Sequence, residues 1–64
     1  MKTLCYYIER TEDYTKFLIA LEGAMTLVPC FVSMGDVEMN FVELTVLCRE
    51  EDALFIQTVL APYL

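Results

Sequence analysis

The sequence predicts an α+β fold with the element order β-α-β-β-α, an antiparallel sheet with two helices on one face. Three observations lead to this prediction. Strand-like stretches alternate in polarity with a period of two, two other stretches carry apolar residues at helical spacing, and short turn signals separate them. The chain has 64 residues and shows no repeat, linker or low-complexity segment, so we expect a single domain over residues 1–64.

The first strand is predicted in the stretch TLCYYIER, residues 3–10. It is rich in the aromatic and branched residues that strands favour. Both of its alternating sets are apolar, namely Leu4, Tyr6 and Ile8 on one side and Cys5 and Tyr7 on the other. We therefore expect both faces of this strand to be covered.

The first helix is predicted to begin at Thr11, a suitable N-cap, with Glu12 and Asp13 supplying negative charge to the first turn. Its apolar residues recur at the spacing of one helix face: Tyr14, Phe17, Leu18 and Leu21. Gly23 is predicted to end the helix as a left-handed C-terminal cap.

The second strand is predicted between Thr26 and Met34. Pro29 lies within this stretch and lacks a backbone donor, so we expect the strand at a sheet edge or a bulge and not in the centre. Gly35-Asp36 is the predicted turn after it, and Met39-Asn40 is the alternative.

The third strand is predicted in FVELTVLC, residues 41–48, and is the longest alternating branched stretch in the chain. We expect it to be the central strand. One alternating set is predicted to face the helices: Val42, Leu44, Val46 and Cys48.

The second helix is predicted in REEDALFIQTVLAPYL. It opens with three acids, Glu50-Glu51-Asp52, which we interpret as solvated charge that complements the helix dipole. Pro62 is predicted to stop the helix. The predicted core stripe consists of Phe55, Ile56, Val59, Leu60 and Tyr63.

Charge and residue types exclude several classes of function. Ten acidic residues against four basic ones give a net charge of −6, which opposes binding to nucleic acid and to an anionic membrane surface. LCYYIER is too short and too soon charged for a secretory signal, so we expect a cytoplasmic protein. Histidine is absent, which removes the commonest general base, and we expect no enzyme.

Three cysteines occur without close spacing, Cys5, Cys30 and Cys48. This usage fits reduced thiols better than a disulfide framework, and we expect no metal and no cofactor. Cys30 and Cys48 are predicted on one sheet face, where they could approach one another as small core residues.

The element order resembles the ferredoxin-like arrangement and, more narrowly, the ACT domains, without their final strand. LCREEDALFIQTVL is similar to the strand-to-helix passage of such domains, where an acidic helix start follows an apolar strand. The resemblance implies the fold. The ligand loop of ACT domains often has a glycine after the first strand, and ERTEDYTK has none.

With 58% hydrophobic residues, the chain has more apolar side chain than a monomer of this size easily hides. We expect a homodimer or higher homo-oligomer, with room for a protein client or small ligand at the junction. The predicted interface residues are Tyr7, Phe31, Phe41 and Leu47 on the open sheet face, and Tyr63 and Leu64 at the C-terminal end.

The predicted function is therefore a small acidic, non-enzymatic regulatory or protein-interaction module. The alternative is an acidic inhibitor or nucleic-acid mimic of the phage type, which would block a basic groove on its target. The placement of the carboxylates distinguishes the two, because a mimic gathers them on one surface, whereas the sequence scatters them over all five elements.

Overall fold

A computed structural model describes residues 1–35 and 38–64. The elements, in chain order, are β1 (Lys2–Glu9), α1 (Glu12–Leu27), β2 (Cys30–Glu38), β3 (Phe41–Cys48), α2 (Glu50–Leu60) and a short 3₁₀ turn (Ala61–Tyr63). The strands form one antiparallel sheet in the order β1-β3-β2. The predicted α+β class and the order β-α-β-β-α are thus confirmed.

The core lies between the sheet and the two helices, and β3 is at its centre, as predicted. The four residues of β3 that were expected to face the helices are buried: Val42, Leu44, Val46 and Cys48. Phe17 and Leu21 from α1 and Ile56 and Leu60 from α2 pack into the same cluster. The ring of Phe17 meets that of Tyr6 edge to face, with centroids 5.5 Å apart, a favourable arrangement of aromatic quadrupoles.

Helix α1 continues through Gly23 and ends at Leu27, so the predicted cap at Gly23 is wrong. Neither glycine has a positive φ, and Gly23 is an interior helical residue. The physical stop is Pro29, because its ring disfavours helical geometry at the preceding residue. Val28 is accordingly extended, with φ −133° and ψ 145°, and its N–H donates to the Ala24 carbonyl at 3.0 Å.

Strand β2 occupies one edge of the sheet, which confirms the edge placement expected from Pro29. Its start differs from the prediction, because Thr26 is still helical and β2 begins after the proline. The turn into β3 is at Met39-Asn40, the alternative site. Gly35 lies inside β2, and Asp36, the other half of the first predicted turn, lies outside the described residues.

The buried stripe of α2 consists of Asp52, Ala53, Ile56 and Leu60, with Val59 partly buried. Phe55 was predicted on this stripe, but its side chain is exposed. A helix turns by about 100° per residue, so residue 55 lies on a different side of α2 from the buried line through residues 53, 56 and 60.

Asp52 was interpreted as solvated charge, and the structure buries it instead. The Arg49 side chain compensates, since its Nε donates to Asp52 Oδ2 at 2.8 Å. This hydrogen bond and the charge of Asp52 raise the pKa of Arg49.

Candidate functional site

One face of the sheet is uncovered within the chain. The strand registers align its residues in four rows across β1, β3 and β2: Thr3–Leu47–Phe31, Cys5–Thr45–Ser33, Tyr7–Glu43–Gly35 and Glu9–Phe41–Glu38. Phe31 is 72% and Tyr7 64% exposed. We expected both faces of the first strand to be covered, and in the single chain this face is open.

The outer edge of β1 is a second uncovered feature. The backbone N–H of Arg10 donates to the Asn40 carbonyl at 2.7 Å, and this pair extends the residue pairing of β1 with β3 by one position. Hydrogen-bonded pairs alternate along an antiparallel ladder, so the even-numbered residues of β1 bond to β3. The N–H and C=O groups of Thr3, Cys5 and Tyr7 therefore point outward from the sheet. At Glu9 the carbonyl already accepts from the Thr11 N–H at 2.8 Å.

A shallow cavity of about 270 Å³ lies beside this edge, where β1 meets the C-terminal turn. We call it the edge groove. It is lined by acidic, aromatic, polar and apolar residues: Glu9 and Asp13, Tyr7 and Tyr63, Thr11, Ile8 and Leu64. Carboxylates beside aromatic rings are suited to a basic side chain, which they hold by charge-assisted hydrogen bonds and cation–π attraction.

The six predicted interface residues fall into two groups. Tyr7, Tyr63 and Leu64 meet in the edge groove. The other three, Phe31, Phe41 and Leu47, lie on the open face and not in the groove. Sequence reasoning missed the contribution of Glu9 and Asp13.

The thiols differ in their surroundings. Cys30 lies directly opposite Cys48 across β2 and β3, which agrees with the prediction that these two residues share a sheet face. Burial, and then the neighbouring Cys48 and Asp52, raise the pKa of the Cys30 thiol. Cys5 is exposed, and all three thiols are free. Within residues 1–35 and 38–64, no three metal-ligating side chains come together.

The described carboxylates are spread over the fold, with Glu43 in the middle of the open face, Glu22 inside α1 and the others towards the two ends of the sheet. Glu9 and Glu38 flank Phe41 at one end, where α1 begins with Glu12 and Asp13. The acids of α2 follow Cys48 at the opposite end. This distribution lacks the one-sided charge that a mimic of nucleic acid needs.

No protein-family model, curated protein or solved structure matches the chain. Of the helices in the described part of the chain, none has the length and apolar character required to cross a bilayer.

Proposed function

We propose that the protein is a small acidic, non-enzymatic interaction module that acts as a homo-oligomer, with the β1 edges of two copies paired. The observation that carries the proposal is the outer edge of β1, where the N–H and C=O groups of Thr3, Cys5 and Tyr7 point away from β3. Its sequence has no proline, and charge occurs only at the ends, at Lys2 and Glu9. Edges of this kind pair readily with another strand unless they are blocked or covered.

A two-fold axis would place the β1 strands of two copies antiparallel, so that each copy uses the same surface. The sheets of both copies would then join into one sheet of six strands. Each outward-pointing residue would exchange backbone hydrogen bonds with the second copy, and the helices of both copies would lie on one side.

Packing of two open faces against each other is less favourable. Glu43 is partly buried in the middle of that face, between Tyr7 and Gly35 in its row. Face-to-face packing would remove this carboxylate from water, and burial of an unpaired charge is costly. Pairing along β1 avoids that cost.

Edge pairing leaves the open faces of both copies on one side of the joined sheet, with Phe31 and Leu47 at one end of each face and Phe41 at the other. We propose this surface as the site for a protein client, because exposed apolar side chains among polar groups are typical of interaction sites. Glu9 and Glu38 beside Phe41 favour a client with basic groups at that end.

Sedimentation velocity on the purified chain tests the proposal. The expected species has twice the chain mass of 7.4 kDa, or a higher even multiple. A stable monomer at high micromolar concentration would contradict self-pairing, and the open face would then be the binding site for a different protein, including a target of the inhibitor type.

Proline substitution locates the interface. Cys5→Pro removes a donor that points outward and is not used by β3, so it should dissociate the oligomer and keep the circular dichroism spectrum of the fold. Thr3→Pro, at a second outward position, should do the same. Cys5→Ser is the matched control and should remain associated. If both proline variants stay associated and folded, the interface is not the β1 edge.

A further inference from the structure

We propose that Lys2 of a second copy occupies the edge groove and thereby fixes the register of the β1–β1 pair, with Cys5 opposite Cys5. This inference rests on the proposed function and adds to it the residue that each copy contributes to the site of the other. The side chains of β1 alternate between the two sheet faces, Lys2 lies at the start of the strand, and acidic and aromatic residues line the groove at its end.

The alternation of β1 restricts the possible registers. Opposite residues in an antiparallel pair point to the same face, so the helix-facing residues of one copy must lie opposite helix-facing residues of the other. Near the middle of β1, two symmetric registers satisfy this requirement. Either Cys5 lies opposite Cys5 of the second copy, or Tyr6 lies opposite Tyr6.

Charge distinguishes these registers. In the Tyr6-centred register, Lys2 of one copy lies opposite Arg10 of the other and not opposite Ile8. The groove residue Ile8 then lies opposite Leu4, and the groove receives no cation.

In the Cys5-centred register, Lys2 of the second copy lies opposite Ile8, which lines the edge groove. Lys2 then points to the helix-facing side, as Ile8 does, and its ammonium group on a flexible four-carbon stem can reach the carboxylate of Asp13 at the start of α1. Tyr63 supplies an aromatic face in the same groove. By symmetry, two such contacts form, one on each side of the axis.

The Cys5-centred register also predicts a covalent link. Cys5 would form a hydrogen-bonded pair with its symmetry mate, for which the Cα atoms lie about 5.5 Å apart. That separation is within the range of disulfides, about 4.4 to 6.8 Å. In the Tyr6-centred register, Cys5 lies opposite Tyr7 instead.

Charge reversal tests the groove. Lys2→Glu should weaken dimerisation by about tenfold or more in sedimentation equilibrium, because it places a carboxylate among carboxylates. Lys16→Glu is the matched control, since it makes the same change of charge on the exposed surface of α1 and should leave the dissociation constant within about twofold. A mixture of Lys2→Glu with Asp13→Lys should form a heterodimer more stable than either homodimer.

Oxidative cross-linking tests the register. In a Cys30→Ser, Cys48→Ala background, diamide accepts two hydrogens from a pair of Cys5 thiols as their disulfide forms, and a dimer should appear on non-reducing gels. The register is wrong, and the proposed function stands, if the chain is dimeric but forms no Cys5–Cys5 disulfide and Lys2→Glu and Lys16→Glu change its dissociation constant equally. If the parent chain is monomeric, both fail.

Discussion

Leu44→Ala tests the core register of the central strand. Leu44 is 0% exposed, and it lies opposite Tyr6 on β1 and Met34 on β2. Truncation of a buried leucine removes transfer free energy and leaves a cavity, which costs about 2 to 5 kcal/mol. A domain of 64 residues has roughly 3 to 10 kcal/mol of stability in total, from about 0.05 to 0.15 kcal/mol per residue. The variant should therefore lose a large share of the free energy of unfolding.

Thermal unfolding followed by circular dichroism measures this loss. Each kcal/mol lowers the Tm of a domain this small by roughly 4 to 8 °C, so we expect a decrease of at least about 8 °C. Leu54→Ala is the matched control, because Leu54 is 73% exposed on α2 and loses the same atoms. All variants are compared at one protein concentration, since association shifts Tm. A Leu44→Ala melt within one or two degrees of the parent would refute the assignment of the core face.

Three further substitutions or reactions test other parts of the structure. Gly23→Ala should raise the free energy of unfolding, measured in urea, by about 0.5 to 1 kcal/mol. Gly23 is inside α1, and an added Cβ meets nothing within 4 Å. Destabilisation would instead support a left-handed cap at this residue. Arg49→Met should lower the free energy of unfolding in the same assay, because it removes the side chain that donates to buried Asp52. Unchanged stability would contradict that role. In iodoacetamide labelling read by mass spectrometry, exposed Cys5 should react before Cys30, because the raised pKa of the Cys30 thiol leaves less thiolate near neutral pH. The difference between the two labelling rates should narrow as the pH rises. Equal rates near neutral pH would contradict this prediction.

The central strand and the stripe of α1 were predictable because their signals are local and consistent. Val42, Leu44 and Val46 alternate without interruption, and only one pleated register buries all of them. Phe17 and Leu21 repeat at helical spacing after an acidic first turn, which leaves one face to bury. Each pattern specifies both the element and its inward side.

The errors occurred where two local signals competed. Gly23 and Pro29 both indicate a helix end, and the proline determined it because its restriction on Val28 is steric, whereas a glycine only permits a left-handed residue. At α2, Phe55 was assigned to one apolar stripe with Ile56, Val59, Leu60 and Tyr63, but the line that faces the sheet runs through Ala53, Ile56 and Leu60.

The edge groove could not be predicted as a unit, because its walls come from opposite ends of the chain. Tyr7 and Tyr63 were each expected at an interface, but their meeting depends on where the turn after α2 lies relative to β1. Asp13 had a sufficient local explanation as a helix-start acid, so nothing in the sequence suggested a second role.

That double role of Asp13 decides how a variant at this position must be read. A substitution at Asp13 alters the first turn of α1 as well as the groove, and the helix dipole alone makes such a change destabilising. Glu9 lies on the open face beside Phe41, so Glu9→Lys reverses a nearby charge without loss of a helix-start acid and away from the side that Lys2 faces. A Lys2→Glu chain that pairs more tightly with Asp13→Lys than with Glu9→Lys would therefore separate recognition in the groove from the stability of the fold.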